Sequence, residues 1–414
     1  EHKGLEEPAF RDHFKFYLYD EGPNDMRAAE DCMRVNYHLP PKSSEDKFEE
    51  LDVYVRINQR EYLTELFLLP ALREHPMRTM NKEEATLFVI GYAHGMARMA
   101  IPCAAYGGLK KEADQEGWEN QVEEALAGDE YFKRNGGKDF IFLHSRYKWD
   151  VSRRYNKLLD RGPAITTFDR YSDPLRAALP KTWADDRVIV TPYVSSVALD
   201  WWHKEVPPIE QKTTKFYFRG NMARRAGDRW TLPELMKLLP GADFADVDFW
   251  KHGKAKNFAP IVKASAEAFR KASVCLSPEG DTPTSLRLFE SLVAGCVPIV
   301  TGEPKKIARD LPFPTLINWD EIAFFVQPLK DVKKQTRGMD KLADFLDQIG
   351  GGQQSDEQRE RLERMRVKGI EVYDTYFSFF RNPKGVVDAY LFESWIFLQQ
   401  RGVIPATESF PKKA

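Results

Sequence analysis

The sequence predicts an α/β protein built from two doubly wound, Rossmann-like domains that face each other across a cleft. Three observations favour this class. The chain has 414 residues, which is more than one ordinary hydrophobic core needs. Apolar runs typical of buried strands alternate with helical patterns from end to end, as in layers of parallel strands and helices. A second series of such runs begins after Pro207-Pro208, which indicates a second domain.

The first series predicts a domain over residues 1–205. Its strand-like runs lie at residues 14–20, 86–92, 138–145, 164–168 and 187–193. The clearest helical patterns between them are residues 59–69 and 112–134. Glycine pairs at 107–108 and 136–137 interrupt these patterns, because glycine disfavours a helix interior.

The second series predicts another domain of the same kind over residues 206–350. Its strands are expected at residues 215–219, 245–250, 273–277 and 297–300, and its helices at 232–239, 259–272 and 283–294. Three glycines at 350–352 predict a linker, which helices at 357–380 and 386–400 follow. We therefore interpret residues 351–414 as a linker with carboxyl-terminal helices, of which 384–414 complete the first domain.

Charge and hydropathy limit the classes of function. The 61 basic and 63 acidic residues leave a formal net charge of −2, without the basic excess expected of a protein that binds nucleic acid. No apolar run approaches the ~20 residues of a membrane-spanning helix. Residues 1–10 are charged and do not resemble a signal peptide.

The four cysteines are Cys32, Cys103, Cys275 and Cys296. None of them forms a CxxC pair, which argues against zinc and thioredoxin-type sites. Two disulfides in an oxidising compartment and four buried thiols are both compatible with the sequence.

The most informative stretch is residues 273–300, which read SVCLSPEGDTPTSLRLFESLVAGCVPIV. A short apolar strand enters a turn with Pro278 and Gly280, and Thr282-Pro283 predicts a helix start. Gly295 predicts the end of that helix. Because the first-turn amides of a helix have no partner within it, this arrangement predicts a binding site for an anion such as a pyrophosphate.

Side chains of this stretch supply the predicted contacts, at Ser277, Gly280, Asp281, Thr284, Ser285, Arg287 and Glu290. Arg287 can bind phosphate oxygens through charge-assisted hydrogen bonds. Glu290 follows three residues later, on the same helix face, where its carboxylate can accept from ribose hydroxyls. The same spacing also fits a surface ion pair between Arg287 and Glu290, so the residues alone leave both interpretations open.

This stretch resembles the signature of exostosin-like glycosyltransferases, family 47 in the sequence-based classification, above all in their plant and algal branch. The matching residues are Cys275-Leu276, Pro278, Gly280-Asp281, Pro283-Thr284-Ser285, Arg287-Leu288-Phe289, Gly295-Cys296 and Pro298. Further similar stretches lie at residues 16–20, 78–79, 83–89, 136–144, 215–220, 311–313 and 317–319. The chain departs from the pattern at Glu279, where many members have arginine. That carboxylate either points away from the donor or binds one of its hydroxyls.

The resemblance implies a fold called GT-B, in which the carboxyl-terminal domain holds a nucleotide-sugar and the amino-terminal domain presents the acceptor. It also implies inversion at the anomeric carbon, with no metal or cofactor strictly required. Arg287 is then the first choice for the diphosphate, and Arg219 or Arg224 the second. Gly220 permits close approach of the backbone to the donor. A solvated loop is the competing interpretation for Arg224, Arg225 and Arg229.

Inversion needs a base that takes the proton of the acceptor hydroxyl. The candidates are His94, His144 and Asp150, which follow or end predicted strands of the first domain, and each also fits a structural role. A DxD pattern at Asp246 and Asp248 resembles the metal-binding mark of a different glycosyltransferase fold. Because it lies in the second domain, we assign it no metal.

The leading hypothesis is therefore an inverting transferase that moves a sugar from a UDP-sugar to a polysaccharide or to a glycoprotein glycan. The alternative is a non-catalytic, carbohydrate-binding partner subunit with the same fold. Relatives of this kind imply the Golgi lumen, behind an amino-terminal membrane anchor outside the given sequence. The sequence leaves a homo- or heterodimer open, and it does not reveal the sugar, the linkage or the acceptor.

Overall fold

The computed structural model describes residues 5–36, 64–99, 112–145, 153–159, 161–167, 187–194, 205–223, 226–247, 258–280, 282–351 and 354–406. These residues belong to two compact units. The first unit contains the described residues before Tyr193 together with those after Arg381, and the second unit contains Tyr193–Arg381. Along the described residues, the chain passes into the second unit at Tyr193 and returns to the first unit after Arg381.

Each unit contains a five-stranded sheet. The strands of the first sheet are β1 (Phe16–Tyr19), β2 (Leu87–Ile90), β3 (Phe140–Leu143), β4 (Ala164–Thr167) and β5 (Val188–Val190). The strands of the second sheet are β6 (Thr214–Gly220), β7 (Ala242–Asp246), β8 (Ala272–Pro278), β9 (Val297–Thr301) and β10 (Phe324–Val326).

Helices connect the strands in both units. In the first unit they are α1 (Pro8–His13), α2 (Arg27–Asn36), α3 (Thr64–Arg73), α4 (His94–Met99), α5 (Glu112–Gly128), α6 (Glu130–Arg134) and α7 (Arg153–Leu159). In the second unit they are α8 (Leu232–Leu238), α9 (Phe258–Lys271), α10 (Leu286–Val293), α11 (Pro304–Asp310), α12 (Leu329–Lys334), α13 (Gly338–Gly350) and α14 (Asp356–Tyr376). Helix α15 (Pro383–Gln400) belongs to the first unit. Within the described residues, none of these helices combines the length and the apolar character that crossing a membrane requires.

In the first sheet the strands follow sequence order, β1-β2-β3-β4-β5, and every neighbouring pair is parallel. Successive side chains of a strand point to opposite faces of the sheet. On one face, the ring of Phe142 packs against Tyr155 of α7, with 5.6 Å between ring centres. On the other face, Thr166 shares a hydrogen bond of 3.0 Å with the Tyr390 hydroxyl of α15. The returning carboxyl-terminal helix therefore covers the face opposite α7, with α1 packed against it.

In the second sheet the strand order is β10-β9-β8-β6-β7, again with parallel pairs. The chain passes from β6 to β7 at one edge and then crosses back to β8, on the other side of β6. This reversal makes the sheet doubly wound and creates a topological switch point between β6 and β8. One face carries a core with Phe216, Phe218 and Leu276, which packs with side chains of α8, α12 and α13.

Helix α10, which follows the predicted anion-binding turn, begins later than the sequence predicts. Its first residue is Leu286 and its N-cap is Ser285, so Pro283 lies in the turn and not in the first helical position. Thr282, the predicted N-cap, is used elsewhere, because its hydroxyl shares a hydrogen bond of 2.8 Å with the Tyr193 hydroxyl. The prediction of a helix start at Thr282-Pro283 is therefore wrong by three residues.

The carboxyl end of α10 matches the prediction. Gly295 has a φ of +58°, and its N–H and that of Cys296 donate to carbonyls of the last turn at 3.0 and 2.9 Å. This is the Schellman arrangement, which glycine adopts readily at this position. A disulfide joins Cys296 to Cys275 of β8, and Cys32 of the first unit is also disulfide-bonded. Of the two sequence alternatives, the described cysteines follow the disulfide one.

Three other predictions need correction. Strand β7 ends at Asp246, whereas the sequence predicts a strand at 245–250. It is an edge strand in which Phe244 is the only buried residue. The apolar residues after Asp246 therefore wrongly indicated that the strand continues to residue 250. The short strand β10 and helices α11–α13 were not predicted. Among its described strands, the first sheet is sequential and not doubly wound. The sequence did not predict this order, because the periodicity of one segment does not reveal which strands are neighbours.

Candidate functional site

The switch point of the second sheet identifies where a ligand should bind. In open parallel sheets, ligands bind outside the carboxyl ends of the strands at the position where the strand order reverses. Here that position lies between Gly220, which ends β6, and the turn that begins after Pro278 of β8. The turn that the sequence singles out therefore coincides with the position that the topology singles out.

Arg287, in the first turn of α10, reaches across the end of β6. Its Nε donates to the carbonyl oxygen of Arg219 at 2.9 Å, and its guanidinium carbon lies 5.3 Å from the centre of the Phe218 ring. A β-carbon at Gly220 would lie 2.4 Å from a terminal nitrogen of Arg287. Glycine at this position therefore leaves the room that the guanidinium occupies at the switch point.

A second guanidinium, that of Arg229, approaches the same ring. Arg229 lies in the 3-10 segment Ala226–Thr231, which leads into α8 on the core face that contains Phe218. Its guanidinium carbon lies 6.0 Å from the centre of the Phe218 ring, and its Nε donates to the carbonyl oxygen of Glu279 at 3.2 Å. Although Arg229 is charged, it is only 4% exposed. Both guanidinium groups therefore lie near the same aromatic ring at the end of β6.

This pair of cations suits an anion with several oxygens. Guanidinium groups bind phosphate oxygens through paired, charge-assisted hydrogen bonds, and a half-buried position strengthens those bonds by excluding water. A β-carbon on Gly280 would lie 3.1 Å from a terminal nitrogen of Arg229. Both guanidinium groups therefore occupy space that a glycine leaves beside it, Gly220 for Arg287 and Gly280 for Arg229.

The hydroxyl groups of the turn divide into two kinds. The Ser277 and Ser285 hydroxyls lie 3.2 Å apart and share a hydrogen bond, which joins the end of β8 to the N-cap of α10. The Thr284 hydroxyl is buried and has no hydrogen-bond partner among the described residues. An unpaired buried hydroxyl costs free energy, so Thr284 is available to a ligand that brings a partner.

The remaining donor-site candidates contribute less directly. The guanidinium of Arg219 turns towards the edge strand and bonds Asp243 at 3.3 Å, so Arg219 offers its carbonyl and not its charge to the switch point. Burial raises the pKa of Tyr217, and the Glu290 carboxylate adds to that shift, so Glu290 lies on the β6 side of α10. Arg224 and Asp281 lie outside the described residues.

The DxD pattern has a structural role at its first position. The Asp246 carboxylate accepts a hydrogen bond of 2.8 Å from the backbone N–H of Met222, which fixes the loop after β6. Asp248 lies outside the described residues.

Two base candidates, His94 and His144, come together at the carboxyl edge of the first sheet. Their rings stack with 4.4 Å between centres, and both residues are buried. His94 Nδ1 lies 3.0 Å from a carboxylate oxygen of Glu119, which is also buried. The third candidate, Asp150, lies outside the described residues.

A buried carboxylate holds the loops that carry these histidines. Glu65 of α3 accepts hydrogen bonds from the backbone N–H groups of Gly95, Met96 and Ser145 at 3.1, 2.7 and 2.5 Å. Burial raises the pKa of Glu65, and these hydrogen bonds oppose that shift. The first turn of α4, which begins with His94, and the loop after β3, which begins with His144, are thus tied to one side chain.

The sequence interpretation missed Glu65 and Glu119, and it left Arg229 open between a contact with the donor and a solvated loop. The loop remained possible for Arg229 because it stands in a charged segment, RRAGDRW. The signal that could have identified it is Leu232 at the start of the next helix, since a buried helix start anchors the residues that precede it. Glu65 and Glu119 lie on amphipathic helical stretches, where a carboxylate normally faces water.

Known proteins resemble this chain over most of its length, including the turn that follows β8. The model of the exostosin GT47 domain matches residues 11–338. The chain is 28% identical over 254 residues to the probable arabinosyltransferase ARAD1 of Arabidopsis thaliana, covering 61% of this chain and 51% of that protein. It is 26% identical over 311 residues to the probable glucuronosyltransferase GUT1 of Oryza sativa subsp. japonica, covering 70% and 66% of the two chains.

A third relative is the xyloglucan-specific galacturonosyltransferase 1 of Arabidopsis thaliana, 21% identical over 247 residues. That match covers 58% of this chain and 35% of the relative. The chain thus spans about half or less of the length of several curated relatives that it matches. Since the domain match covers most of the sequence and both sheets, the chain belongs to the exostosin GT47 family.

Proposed function

We propose that this chain is an inverting glycosyltransferase that transfers a sugar from a UDP-sugar to a glycan acceptor, either a polysaccharide or a glycoprotein glycan. The observation that supports it most is the pair of guanidinium groups, from Arg287 and Arg229, that both approach the Phe218 ring at the switch point of the second sheet. Two fixed cations at this position match the two negative charges that the diphosphate of a nucleotide-sugar carries.

In this mechanism the two arginines act on the leaving group. As the bond between sugar and diphosphate breaks, negative charge grows on the departing UDP, and cations already in position stabilise that charge without rearrangement. The start of α10 and the Thr284 hydroxyl add hydrogen-bond donors. Neither a metal nor a cofactor is required for these steps.

The acceptor hydroxyl has to lose a proton during the attack. His94 and His144 are the base candidates within the described part of the first unit, and Asp150 is the third. We propose the GT-B arrangement, in which the second unit binds the donor and the first presents the acceptor. The names of the relatives, arabinosyl-, glucuronosyl- and galacturonosyltransferases, support the transfer of a sugar.

The disulfide between Cys275 and Cys296 supports a location in an oxidising compartment such as the Golgi lumen, because structural disulfides persist there. A membrane anchor at the amino terminus and a homo- or heterodimeric assembly belong to the same proposal. No nucleic-acid partner is expected.

The test is binding of UDP by isothermal titration calorimetry, with ADP at the same concentration as the specificity control, followed by UDP release from a panel of UDP-sugars with glycan acceptors. Arg287→Ala and Arg229→Ala should each weaken UDP binding ~10- to 100-fold, because each removes a charge-assisted contact with phosphate. Arg359→Ala, on the exposed surface of α14, is the matched control. NMR of the product then reads the anomeric configuration.

Two results would overturn the proposal. UDP affinity and UDP release that survive Arg287→Ala unchanged would remove the assigned site. Absence of UDP binding by the wild-type chain, together with retained binding of a glycan, would favour the non-catalytic partner subunit.

A further inference from the structure

The turn between β8 and α10 is organised around Thr282, which bonds residues on both sides of it. Its carbonyl oxygen accepts a hydrogen bond from the N–H of Gly280 at 3.0 Å, and its hydroxyl donates to the carbonyl oxygen of Thr284. Gly280 leaves the space that the Arg229 guanidinium occupies, and Thr284 carries the buried hydroxyl that has no partner among the described residues. The position of Thr282 therefore sets the positions of two parts of the proposed donor site.

Tyr193 holds Thr282 from outside the turn. The hydroxyl oxygens of the two residues lie 2.8 Å apart, and both side chains are buried. The ring of Tyr193 also packs against Phe289 of α10, with 5.7 Å between ring centres. Tyr193 is thus placed by an aromatic contact that does not depend on its hydroxyl, and the hydroxyl is free of any role in that packing.

The direction of these hydrogen bonds follows from the number of hydrogens. The Thr282 hydroxyl has one hydrogen, and it gives that hydrogen to the carbonyl oxygen of Thr284, which can only accept. In the bond between Tyr193 and Thr282, Tyr193 must therefore be the donor. The result is a buried chain of donors from Tyr193 through Thr282 to Thr284, in which each bond strengthens the next.

The end of this chain fixes one peptide plane at the start of α10. The carbonyl of Thr284 and the N–H of Ser285 belong to the same planar peptide group and point in opposite directions. The bond from Thr282 therefore turns the Ser285 N–H away from Thr282. Ser285 is the N-cap of α10, and its hydroxyl shares a hydrogen bond of 3.2 Å with Ser277. The beginning of the helix that carries Arg287 is thus held from two directions.

We propose, on the basis of the function proposed above, that Tyr193 is a positioning residue of the donor site. Its hydroxyl acts through Thr282 and sets the turn in the conformation that binds the diphosphate before the donor arrives. A turn that is already in position loses less conformational freedom when the ligand binds, and it stabilises the charge of the leaving UDP without rearrangement. Tyr193 itself makes no contact with the donor in this proposal.

The experiment removes the hydroxyl and keeps the ring. Tyr193→Phe should weaken UDP binding by ~10-fold in isothermal titration calorimetry, which is the effect of one buried hydrogen bond. Uridine, which has no phosphate, should keep its affinity within ~2-fold in an NMR titration. The loss should therefore be confined to the part of the affinity that the phosphates contribute, which a general loss of stability would not produce.

Variants of Thr282 test the chain of hydrogen bonds. Thr282→Val removes the hydroxyl at nearly constant shape and should weaken UDP binding as much as Tyr193→Phe does. Thr282→Ser keeps the hydroxyl and should stay within ~3-fold of the wild type. In the Thr282→Val background, Tyr193→Phe should cause no further loss, because the two hydroxyls act in one chain.

Tyr217→Phe is the matched control. Tyr217 lies in β6 of the same sheet, and its buried hydroxyl donates to the carbonyl oxygen of Ser265 in α9 at 3.0 Å. This variant also removes the hydroxyl of a buried tyrosine in the second unit, but it leaves the turn between β8 and α10 unchanged. Its affinity for UDP should stay within ~2-fold of the wild type. Thermal unfolding of each variant shows that the fold is retained.

The outcomes distinguish this inference from the function on which it rests. If the wild-type chain does not bind UDP, both fail. If the wild-type chain binds UDP and Tyr193→Phe binds it equally well, or loses uridine and UDP affinity to the same extent, only the inference about Tyr193 is overturned. It is equally overturned if Tyr217→Phe weakens UDP binding as much, or if the losses of Tyr193→Phe and Thr282→Val add up.

Discussion

The two sheets have the same number of described strands and the same parallel pairing, but their carboxyl edges differ. The first sheet is sequential, and its edge is filled by side chains that bond one another, with His94 beside Glu119 and Glu65 holding three backbone amides. The second sheet reverses its strand order, and at the reversal Arg287 and Arg229 approach one aromatic ring. The two carboxyl edges therefore differ because the strand orders differ and not because the strands differ in composition. The first edge is filled by side chains that bond one another, and the second is suited to an anion.

Glycines at the two edges show the same contrast in detail. A β-carbon on Gly91, directly after β2, would lie 2.5 Å from the carbonyl oxygen of Tyr19 and 3.1 Å from that of Asn24. A β-carbon on Gly220, at the end of β6, would lie 2.4 Å from the side chain of Arg287. In the first unit glycine allows two backbone segments to meet, whereas in the second it leaves space for a charged side chain.

The largest effect is expected from His94→Ala in the first unit. Removal of the imidazole leaves the buried Glu119 carboxylate without this partner and creates a cavity beside His144. We expect the free energy of unfolding to fall by ~3–5 kcal/mol, measured by urea denaturation, with UDP affinity retained below the unfolding transition.

A double variant tests this explanation. Glu119→Leu in the His94→Ala background removes the buried charge and should recover part of the lost stability. A chain with His94→Ala that unfolds like the wild type and binds UDP, but no longer transfers sugar, would instead identify the first edge as catalytic and break the comparison.

Gly91→Ala should have the next largest effect. The added methyl group meets backbone atoms, which cannot move away as a flexible side chain can, and overpacking of this kind costs ~1–3 kcal/mol of unfolding free energy. Gly117→Ala is a control in the same unit, since a β-carbon there meets nothing within 4 Å and alanine favours the helix interior by up to ~1 kcal/mol. If both variants unfold alike, the close approach of β1 to Gly91 is not a constraint on the fold.

The contacts of Gly91 and Arg229 show where inference from the sequence ends. The strands around Phe88, Ile141 and Val274 were predicted because apolar runs between turns carry their own signal. The contact of Gly91 with Tyr19 and the approach of Arg229 to Phe218 join segments that are distant in sequence, and no local pattern encodes them. The turn predicted after Pro278 lies at the switch point, but only the strand order distinguishes it from other turns that follow a strand.

The late start of α10 has a related cause. Thr282-Pro283 is a favourable local start, yet Thr282 bonds Tyr193, which lies 89 residues away, and Ser285 takes the N-cap position. A tertiary hydrogen bond thus outweighed a local preference. The local signal was strong enough to predict the helix but not its first residue.

Gly220→Ala should reduce function with little change in stability. The methyl group would displace the terminal part of Arg287, a flexible side chain, so we expect unfolding to change by less than ~1 kcal/mol and UDP affinity to fall ~10-fold. A double-mutant cycle tests whether the effect depends on Arg287. In the Arg287→Ala background, Gly220→Ala should cause no further loss of UDP affinity. Equal losses in both backgrounds would mean that Gly220 acts on the ligand directly and not through Arg287.

The smallest effect concerns pH and the anchoring of α10. Lys212 donates to the carbonyl oxygens of Arg270 and Ala294, at the ends of α9 and α10. The pKa of Lys212 is lowered to about 7, chiefly because protein displaces water around its ammonium group, and Arg366 and Arg270 add to the shift while Glu363 opposes it. Between that value and the ordinary lysine pKa of ~10.4, the unfolded chain binds the proton more tightly than the folded one.

Stability should therefore rise with pH from about 7 towards 9, with a contribution from Lys212 of at most ~1.4 kcal/mol per pH unit. Lys212→Met should flatten this rise, measured as the free energy of urea unfolding at pH 7, 8 and 9, and Lys368→Met on the exposed face of α14 should retain it. Because Lys212 holds the end of α10, the same rise should be seen in the amide hydrogen exchange of α10 and not in that of β1, β2 and β3 in the first unit. A rise that Lys212→Met leaves unchanged would mean that another group in the fold sets the pH dependence, and that Lys212 keeps its proton at the ends of both helices.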